Sequence, residues 1–156
     1  YLKDIKSEHS LIINSDIIIK DSGGVTEKIK ERSNDGIIVM NRMDFENEIE
    51  TAKIYEMGFD GFFINGNYLD CFPQSILCLG QCHWDYWLPY VASIGGVNII
   101  KQREPYIYHQ LHNIQYSRID YKRTGEIFRA ELGIFKLSDV SQVNNYVFRH
   151  IRANLK

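Results

Sequence analysis

"VTEKIKERSNDGIIVM", Val25 to Met40, decides the fold class. Val25 and Ile29 stand four residues apart, on one face of a helix whose other positions are largely charged. Ser33 to Gly36 is turn chemistry. Ile37 to Met40 is apolar without alternation, the pattern of a strand covered on both faces. A helix, a turn and a doubly buried strand in so short a span predict an α/β domain built on a mixed, mostly buried sheet with flanking helices.

The rest of the chain extends that pattern. Leu11 to Ile13 is a short apolar run that predicts a strand ending at Asn14 to Asp16. Asp44 to Glu50 is acidic and predicts a surface loop. Ala52 to Tyr55 and Phe59 to Ile64 predict strands, and Asn65 to Asn67 a turn leading into one helical turn at Tyr68 to Cys71. Trp84, Trp87, Leu88, Val91 and Ala92 recur at helical spacing, and Gly95 and Gly96 close that helix. Pro89 has no backbone N–H to donate, which predicts a place in the first turn and puts Asp85 at or just before the helix start. Val97 to Ile100 and Tyr106 to Tyr108 predict two more strands, with His109 at the end of the second. After Ser138, a candidate cap, Val140, Val143, Val147, Ile151 and Leu155 form one stripe, the signature of a C-terminal amphipathic helix.

Composition narrows the function. The chain has 156 residues, enough for one domain with a sizeable core. Its 44% apolar and 24% charged residues exclude a disordered chain. With 18 basic against 20 acidic residues it lacks the basic surface of a nucleic-acid binder. No apolar run reaches membrane-span length. Three cysteines, an odd number, suit a reducing compartment such as the cytoplasm better than a disulfide framework.

Several polar residues fall where strands or helices begin or end: Asp16, Asp60, Asp85, His109 and His112. In α/β sheets, functional groups gather at such places. Each also has a plain structural explanation. Asp16 and Asp60 suit turns and bends, Asp85 suits a helix cap, the histidines suit a surface, and Trp84 and Trp87 suit a core.

The order of these segments carries a resemblance. "LIINSDIII", Leu11 to Ile19, resembles the strand-ending acidic motif of nucleotide-sugar glycosyltransferases of the GT-A fold, with Asn14 where the first aspartate often stands. "GFDGFFI", Gly58 to Ile64, then "LGQCHWDYWLPYVASIGG", Leu79 to Gly96, then "YIYHQLHNIQYS", Tyr106 to Ser117, resemble a bacterial and viral group of such proteins. The resemblance covers roughly residues 10 to 120, so residues 1–120 would be the catalytic region and 121–156 a helical segment of the same domain. The part of a GT-A domain that cradles the nucleotide base normally precedes the acidic motif, where this chain has about a dozen residues. The resemblance therefore implies a further polypeptide segment or a second copy, a base held differently, or a chain that no longer catalyses transfer.

What the resemblance implies is a metal-dependent transfer of a sugar from a nucleotide diphosphate to the hydroxyl of a glycan or other acceptor. Asp16, with His109 and then His112, would hold Mn²⁺ or Mg²⁺, and imidazole suits Mn²⁺ better. Asp85 would be the base that deprotonates the acceptor, and a direct attack would invert the anomeric centre. Asn14, Arg42, Asp60, Trp84 and Trp87 would contact substrate. Two other readings stand beside it. One is a zinc site from Cys78, Cys82, His83, His109 and His112. The other is a non-catalytic carbohydrate-binding or assembly module of the same fold.

Overall fold

The structure is a computed structural model that describes residues 4, 7–77, 79–113, 117–134, 136–137 and 139–156. Cys78 and the expected cap Ser138 lie outside the described residues. The strands are β1 His9–Ile13, β2 Ile17–Ile19, β3 Ile37–Met40, β4 Met43–Phe45, β5 Lys53–Ile54, β6 Gly61–Asn65, β7 Ile99–Lys101 and β8 Ile107–Gln110. The α-helices are α1 Val25–Arg32, α2 Trp84–Ile94, α3 Arg118–Glu131 and α4 Val140–Asn154.

The expected α/β class holds, but the single expected sheet is two. The first has the order β1-β6-β3-β7 and the second β2-β8-β4-β5. Each is mixed: β3 and β7 pair in parallel in the first, β4 and β8 in the second, and the other pairs are antiparallel. The chain passes between the sheets repeatedly through short connections. Asn14 to Asp16 joins β1 to β2, Asn41 and Arg42 join β3 to β4, residues 55–60 join β5 to β6, and residues 102–106 join β7 to β8. These crossings position the candidate site.

The first sheet is buried on both faces by strict alternation. Ile37, Val39, Phe62, Ile64 and Ile99 face α2, α3 and α4, where Trp84, Leu88, Phe128, Val147 and Ile151 meet them. Ile38, Met40, Phe63 and Ile100 face the other way, onto Val25 and Ile29 of α1 and Ile107 of the second sheet. Each such side chain contributes roughly 1.5–3 kcal/mol by leaving water, so this sandwich is the main source of stability. Leu155 extends the α4 stripe past the helix end and pairs beside Ile99. Lys156 then bonds twice to the outer edge of β7, accepting from Lys101 N–H at 3.0 Å and donating to the Ile99 carbonyl at 2.9 Å.

The helix ends follow local chemistry. The Ser117 hydroxyl caps α3 by accepting from the Asp120 amide, and the Asp139 carboxylate caps α4 by accepting from the Ser141 amide. Gly95 and Gly96 terminate α2, with Gly96 at φ 82.

Four expectations change. Asp44 is no loop residue, because Met43–Phe45 is a strand held between β5 and β8. Ile17–Ile19 is a strand too, so Asp16 stands between two strands rather than after the last residue of one. His109 lies within β8, not past its end. Pro89 is inside α2 rather than in its first turn. The helix begins at Trp84, its N-cap is His83, and Asp85 is its second residue, which removes the cap role expected for Asp85.

Candidate functional site

The site forms where three of the four crossings meet the central strand of the second sheet. β8 pairs with β2 on one side and β4 on the other, and register sets both Ile17 and Asp44 opposite His109. Asp16 immediately precedes Ile17, and its carboxylate comes back over the same histidine. His109 Nε2 lies 3.4 Å from Asp16 Oδ2, and His112 Nε2 lies 3.0 Å from the same oxygen. The two imidazole rings meet nearly edge to face at 5.0 Å. Asp16, His109 and His112 thus present three ligand atoms within 4.8 Å of one another.

Exposure differs among the three. The His109 side chain is 8% exposed, while those of Asp16 and His112 are each 41% exposed. The group is a buried anchor with two partners open to solvent. Burial alone would raise the Asp16 pKa; the hydrogen bond from His112, and the two nearby histidines, hold it below the ordinary carboxylate value instead. The His112 pKa is raised, first by its contact with the Asn113 carbonyl and then by Asp16.

Behind this group lies a partly buried ionic network. Arg42 Nε donates to Asp44 Oδ1 at 2.7 Å and Nη1 donates to Asp60 Oδ1 at 2.9 Å. Asp44 Oδ1 is also 3.0 Å from His109 Nδ1, and the Asn14 amide reaches Asp60 at 3.4 Å. The guanidinium lies over the Tyr55 ring at 4.4 Å. Burial raises the Asp60 pKa more than Arg42 lowers it. Burial works against the Arg42 charge, and Asp60 and Asp44 more than restore it, leaving its pKa raised.

Asp85 borders this network from the helical side. Loop residues Tyr55 to Asp60 pass beneath the start of α2 and are tied to it by the Tyr86 hydroxyl, which donates to the Met57 carbonyl at 2.8 Å. Burial and then the nearby Asp60 charge push the Asp85 pKa up to about 7. The amides of Asp85 and Tyr86 and the Arg42 charge pull the other way. A helix N-terminus favours a carboxylate by about 0.3–1 kcal/mol, and here desolvation outweighs it.

Of the residues singled out in the sequence, Asn14, Asp16, Arg42, Asp60, His109 and His112 come together, with Asp85 on the border. Trp84 and Trp87 do not. They are 3% and 7% exposed and pack in the core, Trp84 edge-on to Phe62 at 5.3 Å and Trp87 near Phe72 at 6.2 Å. A stacking platform needs an open ring face, so both are corrected to core residues. Cys82 and His83 are also elsewhere. The His83 nitrogens lie 3.1 Å from Asn144 Oδ1 and 3.1 Å from the Tyr121 carbonyl, and its ring stacks on Phe128. Burial pushes the Cys82 thiol pKa up, away from the thiolate that zinc needs. Among the described residues, these two do not join His109 and His112 in a zinc site.

Asp44, Tyr55 and Gly58 are additions. Arg42 and Asp44 flank Met43, an alternation that would put both on one face of a strand. Three residues are too few for that signal to stand out.

No family model matches this chain, and no curated protein or solved structure does either. Among the described residues, no helix is long and apolar enough to cross a membrane.

Proposed function

We propose that this chain is a metal-dependent glycosyltransferase acting on a nucleotide diphosphate sugar and a hydroxyl acceptor. The observation that carries the reading is the convergence of Asp16 from one crossing, His109 from β8 and His112 from the segment after β8 onto one solvent-open point. Two imidazole nitrogens and one carboxylate oxygen fit Mn²⁺ better than Mg²⁺, which prefers oxygen alone. The bound cation would neutralise the charge of the departing diphosphate.

The remaining chemistry belongs to the chain. Asp85, with a pKa of about 7, is poised between acid and base forms near neutral pH. It takes the proton of the acceptor hydroxyl as that oxygen attacks the anomeric carbon. The carbon–oxygen bond to the diphosphate breaks, and the configuration inverts. Arg42 holds Asp44, beside His109, and Asp60, beside the loop that packs on Asp85, in one fixed network. Trp84 has no contact with the sugar in this reading, and acceptor recognition falls to the loop beside Asp85, where Tyr55 and Met57 are exposed.

Melting temperature measured with nucleoside diphosphates, with and without Mn²⁺, tests the reading, because a ligand of the folded state alone raises it. Stabilisation should require both components and vanish in Asp16→Ala. Stabilisation without any sugar turnover would favour the non-catalytic module. No effect of Mn²⁺ on the wild-type protein would defeat the metal reading.

A further inference from the structure

We propose that Asp44 is a positioning residue that holds His109 in the tautomer whose Nε2 is bare toward Asp16. The proposal rests on the metal reading above and deepens it. Asp44 Oδ1 accepts from Arg42 Nε at 2.7 Å, and a guanidinium nitrogen can only donate. The same oxygen lies 3.0 Å from His109 Nδ1. An oxygen already serving as acceptor to a guanidinium is matched by an N–H from the imidazole, so the Nδ1 atom carries the hydrogen. In the neutral ring Nε2 then carries a lone pair, 3.4 Å from Asp16 Oδ2. A lone pair facing a carboxylate oxygen is unfavourable by itself and favourable with a cation between them.

The backbone prepares this contact. Asp44 and His109 are register partners in the parallel β4–β8 pair, so their side chains leave the same face of the sheet side by side. The Asp44 and His109 side chains are 17% and 8% exposed, which leaves water little access to compete for Nδ1. Arg42 fixes the carboxylate, the carboxylate fixes the ring, and the ring fixes the donor atom.

Asp44→Ala and Asp44→Asn test this with two readouts. The first is the nitrogen NMR signature of the His109 ring in the metal-free protein, at a pH where the imidazole is neutral. Wild type should carry its hydrogen on Nδ1, and Asp44→Ala should shift population to Nε2–H. Asp44→Asn keeps an acceptor oxygen and should retain most of the wild-type tautomer. The second readout is Mn²⁺ affinity by titration calorimetry, which should fall about 10–100-fold in Asp44→Ala and less in Asp44→Asn. A wild-type ring with its hydrogen on Nε2 overturns the proposal, as does wild-type Mn²⁺ affinity in Asp44→Ala. Wild-type protein that binds no Mn²⁺ overturns the metal reading, while the tautomer measurement still decides the role of Asp44 in orienting the ring. If Asp44→Ala fails to fold, the Asp44→Asn tautomer and affinity decide the matter: retention of both supports the proposal, and an Nε2–H ring with unchanged affinity defeats it.

Discussion

The Asp85 carboxylate lies against Gly58. A methyl group on Gly58 would stand 3.6 Å from Asp85 Oδ2 and 3.5 Å from the Tyr55 ring. Those are ordinary van der Waals distances, so the loop at Gly58 packs directly beside the acid and helps keep water from it. The pKa of Asp85 is raised by this burial and by the Asp60 charge, against the pull of its own helix amides.

Asp85→Asn separates charge from shape. A carboxyl whose pKa is raised on folding contributes stability in full below its ordinary value, and that contribution is lost as pH rises toward about 7. Removing the charge should therefore change little near about pH 4 and stabilise the protein by on the order of 2 kcal/mol near about pH 8. Urea midpoints at the two pH values measure this. If Asp85 is the base, transfer should also fall by roughly 10²–10⁴-fold with Mn²⁺ binding preserved. Unchanged turnover would remove it from the chemistry.

Arg42→Ala should destabilise the fold by about 3–5 kcal/mol, because Asp60 stays buried without its cation. The Asp60 side chain is only 8% exposed, so water cannot replace the guanidinium. Arg42→Lys should recover only part of the loss, since one ammonium cannot reproduce the fork that reaches both Asp44 and Asp60. Equal denaturation midpoints for Arg42→Ala and wild type would show the network to be ornamental.

His109→Ala should weaken Mn²⁺ binding more than His112→Ala. His109 is buried and aligned by Asp44, whereas His112 is exposed and must be ordered on binding. Calorimetric titration of both variants decides the order, and equal affinities would contradict it.

Gly125→Ala replaces a residue of α3 that packs directly on Val140 of α4. A Cβ there would collide with Cγ1 and Cγ2 of Val140. Alanine gains about 1 kcal/mol in helix propensity, and overpacking against a β-branched side chain costs about 1–3 kcal/mol. The expected result is a lower melting temperature. A higher one would mean that the two helices separate easily.

The parts of this fold legible in the sequence are those with long or uniform patterns. Ile37 to Met40, the α2 stripe and the α4 stripe gave the class and the helical layer because each buries a continuous face. β2 and β4 were illegible for the opposite reason. Each has three residues, and the β2 isoleucines are partly exposed while β4 carries an acid. Their stability comes from β8, and pairing between distant segments leaves no local mark. α3 has just Thr124, Gly125 and Phe128 buried, too sparse a stripe to announce a helix. The same limit explains the site. Asp16, Asp60, Asp85 and the two histidines stood out at predicted boundaries, while Asp44 was hidden in an apparent loop. The tryptophans misled because aromatic residues beside an acid suit both a sugar platform and a core.

The pairing of Leu155 and Lys156 beside β7 bears on self-association. Strand edges are templates for further strands, and among the described residues no other strand pairs with short β7 on that side. The two residues occupy its outward-facing backbone groups and end the first sheet there. Without these two residues beside it, β7 would present an adhesive edge, a seam along which copies could join.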